Sequence, residues 1–244
     1  MALPSPDAFT QDPLRQSSAD VATDPLWDGA RAADVGPRSI AEPIDLWAER
    51  VAGHLRPYID RLGAFRSYAI LRSVGRGSGI CCPLNPAEAA VLSRVLCGEQ
   101  QKVISTELRI AHSTASKRCA QALEKLELTA RTIPLPIAVS AQRAAGVVTA
   151  ADLRYSRFTY EGCEFVVASI PRPKLVARTM LTVSEQEIAQ LLVEGRSRWQ
   201  IAGIRQTSVQ TVSCQLRSIF AKFQATGRYG LTRRAAELGW FDAT

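Results

Sequence analysis

One interval organises this chain: laying Leu84 on Leu181, 97 residues apart, starts a register that runs without a gap to Arg131 on Arg228. Within it Glu88 falls on Glu185, Gly98 on Gly195, Ile104 on Ile201, Thr114 on Thr211, Ser116 on Ser213 and Lys125 on Lys222. Where identity lapses, apolar character holds, so that Val91 meets Ile188, Val95 meets Leu192 and Leu126 meets Phe223. The same interval sets the strand-like run Tyr68–Val74 on Phe165–Pro171. Self-similarity at a fixed period means one supersecondary unit used more than once. Two tandem units, each a short strand or hairpin element followed by helices, account for this better than one continuous domain.

In the second unit, Thr182 followed three residues later by Glu185 has the pattern of a capping box at a helix start. Ser197 begins a short helix with Ile201 and Ala202 facing inward, and a tight turn near Gln206–Ser208 leads to a third. There Val212, Leu216 and Ile219 form an inner stripe at spacings of four and three. A bracing helix, a tight turn and a presented helix are the parts of a helix-turn-helix. Ser208, Val209, Gln210 and Thr211 open the presented helix, where free N–H groups and the helix dipole favour a phosphate. Ser213, Cys214 and Arg217 lie off the apolar stripe and suit base edges or backbone, while Arg205, Lys222 and Arg228 add flanking charge. The first unit presents His112, Ser113, Thr114, Ser116, Lys117 and Gln121 in the matching places.

Charge separates the body from what precedes it. The total is +7 with a pI near 9.3, but residues 1–60 hold ten acids against five arginines, a net −5, which leaves +12 for the rest. Only the body is suited to a polyanion. The spans expected are a disordered acidic leader over 1–43, rich in proline, and an amphipathic helix plus strand over 44–80. A first helix-turn-helix unit follows over 81–146, then a basic connector and β-hairpin turning at Glu161-Gly162 over 147–177, and the second unit over 178–244. In 44–80, Leu46, Trp47, Val51 and Leu55 recur at helical spacing until Pro57. Pro134 and Pro136 are expected to interrupt the apolar segment around them.

Several classes fall away. No apolar run approaches the roughly 20 residues of a spanning helix, and the N-terminus has no signal-peptide pattern. The six cysteines include no Cys-x-x-Cys pair, so zinc-finger spacing is absent and free thiols in a reducing cytosol are expected. Gly-rich phosphate loops, a Gly-x-Ser-x-Gly elbow and a His-Glu-x-x-His helix are missing, which argues against an enzyme. No cofactor or metal is expected.

The second unit resembles the LuxR/GerE-type DNA-binding domain. The residues that carry the resemblance are Leu181-Thr182, Glu185, Gly195 and Ser197, Ile201-Ala202, Ser208, Thr211-Val212, Ile219, Lys222 and Arg228, over about 60 residues in ungapped order. Residues 84–131 resemble the family more weakly through Leu84, Glu88, Gly98, Ile104, Thr114, Lys125 and Arg131. The resemblance implies a mainly α fold and a bacterial-type transcription regulator in the cytoplasm, with the third helix in the major groove. It assigns base reading to Ser213, Cys214 and Arg217, and phosphate contacts to Ser208, Thr211 and Lys222. Gln215 stands where the family often has His, and Arg205 and Phe223 where it often has Leu, so base preference does not carry over.

Double-stranded DNA is the expected partner, with RNA polymerase and a second copy of the chain as further candidates and no membrane. The two units would occupy half-sites about one helical turn apart, near 34 Å, or the chain would dimerise through one of them. Against this stands a protein-interaction scaffold or anti-regulator built on degenerate units. A thiol sensor using Cys81, Cys82 or Cys214 is the third reading.

Overall fold

Two hairpins, far apart in sequence, join edge to edge. The computed structural model describes residues 24–35, 45–74, 83–129, 133–149, 151–174 and 181–242. Helices α1 (Pro25–Val35) and α2 (Leu46–Val51) precede strands β1 (Leu55–Leu62) and β2 (Arg66–Ser73). Helices α3 (Pro86–Leu96), α4 (Gln101–Glu107), α5 (His112–Lys125) and α6 (Leu135–Ala144) lead to β3 (Arg154–Tyr160) and β4 (Cys163–Pro171). Helices α7 (Val183–Val193), α8 (Arg198–Ile204), α9 (Val209–Phe223) and α10 (Gly227–Glu237) follow.

The sheet is antiparallel throughout, in the order β1-β2-β4-β3. Glu161 and Gly162, at φ of 49° and 71°, make the two-residue turn that closes β3 on β4. Paired positive φ values match the right-handed twist of the flanking strands. At the centre Ile70 pairs with Val167. Because side chains alternate across a strand, Ala69, Leu71, Val166 and Ala168 join the core of α3–α6, while Ile70, Phe165 and Val167 point to the other face. A third cluster joins α6 through Leu135 and Val139 to α7–α10, with Trp240 and Phe241 fully buried in it.

The interval of 97 residues separates the starts of α3 and α7, of α4 and α8, and of α5 and α9. It also separates the left-handed turn residues Arg109 and Gln206, and Glu127 and Gln224. The pair Ile70–Val167 at the middle of the sheet is separated by the same interval.

Four expectations are corrected. Within the leader, Pro25–Val35 is not disordered: it forms α1, whose Leu26, Ala30 and Asp34 form a buried stripe at i, i+4, i+8 over Ile70, Phe165 and Val167. Arg66 fastens its end, lying 3.7 Å from Asp34 and 3.0 Å from Asp152 and donating to Ser169 Oγ at 2.9 Å. The leader's other residues, 1–23 and 36–43, lie outside the described residues, as do Cys81 and Cys82. The second correction concerns the helix expected to run to Pro57. It stops at Val51, and Leu55 begins an edge strand in which the pairing shifts between Pro57 and Ile59. An edge bulge is where a strand tolerates a residue without an N–H. Third, Pro134 and Pro136 start α6 rather than interrupt it, at the N-cap and first turn, where a missing N–H costs nothing. Finally, the basic connector expected around residues 150–157 becomes strand from Arg154.

Candidate nucleic-acid interface

The second unit is assembled around Glu185. Thr182 caps α7: its hydroxyl accepts from the Glu185 N–H at 3.3 Å, and the Glu185 carboxylate accepts from the Thr182 N–H at 2.9 Å. That same buried carboxylate accepts from Ser218 at 2.8 Å and from Lys222 at 2.7 Å, both on α9. The Lys222 ammonium, first, and the capping N–H hold its carboxyl at about 2, well below the ordinary 4.5. One acid thus starts the first helix and seats the third. Ser197 caps α8 by the same reciprocal arrangement with Gln200.

Helix α9 turns Val212, Leu216 and Ile219 inward, all nearly fully buried. Ser208 is its N-cap, accepting from the Thr211 N–H at 2.9 Å, with the two hydroxyls 2.8 Å apart. Ser213 is half-buried and donates back to the Val209 carbonyl at 2.8 Å. Val209 is half-buried as well. Gln210, Thr211, Cys214 and Arg217 are exposed, and among the described residues Arg217 has no ion pair. The sequence-predicted residues therefore divide. Gln210, Thr211, Cys214 and Arg217 share one outward face, whereas Ser208, Ser213 and Lys222, and the Thr211 hydroxyl itself, have polar atoms engaged within the domain.

The flanking charges are spoken for too. Arg205 pairs with Glu187 and donates to Ser184 Oγ at 2.8 Å, joining the turn to α7. Gln215 donates to the same Ser184 hydroxyl at 3.2 Å, so it packs α9 against α7. Half-buried Arg228 donates to the Arg196 carbonyl at 3.2 Å.

In the segment expected to form the first copy, Asn85 and Glu88 form the capping box of α3, and Lys125 on α5 reaches Glu88 at 2.8 Å. Its hydrogen bond from Lys125, chiefly, lowers the Glu88 carboxyl below its usual range. The inner stripe of α5 is Ala115, Cys119, Ala122 and Leu123, with smaller side chains than Val212, Leu216 and Ile219 on α9 at three of its four positions. His112, Ser113, Lys117 and Gln121 are exposed, and Thr114 and Ser116 are half-buried. Ser116 donates to Gln101 at 2.9 Å, bracing α4. No side chain caps α5, whose N-cap is Ala111.

Two features were not foreseen from sequence. Trp199, in the first turn of α8, is 77% exposed, an unusual cost for so apolar a side chain. Arg50, on α2, is buried and donates to the carbonyls of Leu55 and Leu126, tying the strand element to the end of α5. Among the described residues no cluster of three or more His, Cys, Asp or Glu is placed to hold a metal ion, and no helix is long and apolar enough to cross a membrane.

Residues 179–235 match the family model for bacterial regulatory proteins of the luxR family, so this segment is a LuxR-family helix-turn-helix domain. That family is one of regulators rather than enzymes. No curated protein matches the chain. Among solved structures, a crystal structure of a Vibrio cholera VqmA–ligand–DNA complex is similar at 15% identity. It covers 50% of this chain and 74% of that one, at a TM-score of 0.26, too low to show a shared fold.

Proposed function

We propose that this chain is a sequence-specific DNA-binding regulator of transcription in which α9 enters the major groove. The observation that supports this most is the division of α9 itself. Its inner face is anchored by a buried stripe and by Glu185, while Gln210, Thr211, Cys214 and Arg217 stand exposed on the other. A helix of this diameter fits a groove about 12 Å wide, and an arginine is the commonest reader of guanine there. Gln210, Cys214 and Arg217 are assigned to base edges. Ser208, Val209, Thr211 and Ser213 line the approach to the backbone. Lys222 serves chiefly to seat the helix, and its phosphate contact is secondary.

Residues 81–146 are taken as a degenerate first unit of the same kind. Supporting this are the shared interval, the matched capping boxes and the matched Glu88–Lys125 and Glu185–Lys222 pairs. Ser113, Thr114, Ser116, Lys117 and Gln121 are its DNA-facing residues in this reading. Contact with RNA polymerase, pairing of two chains and action in a bacterial cytoplasm are further expectations of the reading.

Selection from a random duplex pool at fixed salt, with wild type, Arg217→Ala and Lys117→Ala in parallel, tests it. A two-part motif that loses one half with each variant is the expected result. A single half lost only with Arg217→Ala would leave the first unit as scaffold. No enrichment would overturn DNA reading and leave the interaction module.

A further inference from the structure

The geometry points to the two helix-turn-helix units addressing one duplex as a single rigid body, with the junction between them setting the one half-site spacing the chain accepts. This rests on the reading that α5 and α9 both contact DNA, and adds what fixes them relative to each other.

Two units joined by a loose connector would accept many spacings, since relative motion is the default for small polar interfaces within a chain. Here the units share a helix. Eight of the ten residues of α6 are buried. Ile137, Ala138 and Ala141 lie in the core of the first unit, Leu135 and Val139 in that of the second. Tyr229 of α10 packs against the first unit's core. Gln142, fully buried on α6, donates to the Leu96 carbonyl at the end of α3 (2.8 Å) and to the Tyr229 carbonyl (3.0 Å), so one amide binds both units.

The closest approach is backbone to backbone. Gly98, at φ +84°, follows α3, and a Cβ placed on it would lie 2.4 Å from both Cα and N of Gly230. The Thr226 hydroxyl donates to the Gly98 carbonyl. At the matching place in the second unit, Gly195 has a similar φ of +98° but nothing within 4 Å of such a Cβ. Strain alone therefore does not distinguish Gly98; contact with the other unit does.

These contacts also tie the chain just after one presented helix to the helix that braces the other. Thr226 follows α9, while Gln101, three residues after Gly98, accepts from Ser116 on α5.

The test uses the full chain and a library of duplexes carrying the two selected half-sites at every separation from 0 to about 12 base pairs, in both orientations. Wild type should enrich one separation and orientation by about tenfold or more over its neighbours. Gly98→Ala and Thr226→Val should enrich the same half-sites over several separations. Gly195→Ala, with comparable backbone strain and no junction contact, should keep the single optimum. Thermal melts of each variant report whether it is folded, and Thr226→Val removes only one exposed hydroxyl. A wild type indifferent to separation, or junction variants that melt cooperatively yet keep the sharp optimum, would overturn the inference. A pool that yields only one half-site would instead overturn the two-reader reading beneath it.

Discussion

At the residue scale, Glu185 and Arg217 show how the same unit uses charge in opposite ways. Glu185 is buried under Lys222 and Ser218, with its carboxyl held at about 2 against an ordinary 4.5. A depressed carboxyl contributes stability that is complete above the ordinary value and lost as pH falls toward the folded one. Acid melts should therefore show wild type losing more stability between about pH 4.5 and 2 than Glu185→Gln, which starts lower at neutral pH by about 1–3 kcal/mol. Parallel acid limbs in the two proteins would sink that assignment. Arg217 is exposed and unpaired among the described residues. Arg217→Ala should leave the melting temperature nearly unchanged while weakening binding to a selected duplex by about tenfold or more. The inner stripe Val212, Leu216 and Ile219 and the Thr182–Glu185 capping box are legible in the sequence because both depend on local spacing. The partner of Lys222 is not, since Glu185 lies 37 residues away and only the packed helices bring them together.

At the scale of the element, α1 behaves as a strap across the sheet. It covers Ile70, Phe165 and Val167, on the face away from α3–α6. Its anchor is the Arg66 guanidinium between Asp34, Asp152 and Ser169. Arg66→Ala leaves the Asp34 carboxylate buried without its counter-charge and should cost about 3–5 kcal/mol in a denaturant titration. A loss under 1 kcal/mol would mean that α1 is held by apolar contact alone. Helix α1 was hidden in the sequence because its burial comes from the sheet: three positions at i, i+4, i+8 amid alanines and prolines make a faint period. Strand β1 was hidden for a related reason. Leu55 continues the helical spacing of Leu46, Trp47 and Val51, and only pairing with Ser73 shows that the chain has straightened.

At the scale of the molecule, α3–α5 and α7–α10 pack into two cores that share helix α6, beside one four-stranded sheet. The interval of 97 residues was legible in the sequence and recurs in the starts of α3–α5 and α7–α9, because hydrophobic and turn positions are local features. The mutual placement of the two helix groups is not legible there. The pairing of β2 with β4 and the contact of Gly98 with Gly230 join residues more than 90 positions apart, and nothing local signals either. Binding should also depend steeply on salt, with the slope set by the phosphates neutralised rather than by the total charge of +7.

The most direct measurement is the ratio of affinities of the full chain for its selected duplex and for a random duplex of equal length at one salt concentration. A sequence reader should bind the selected duplex about a thousandfold more tightly or better. Equal affinities, falling together as salt rises, would mean that the protein holds DNA only by charge and that α9 does not read it.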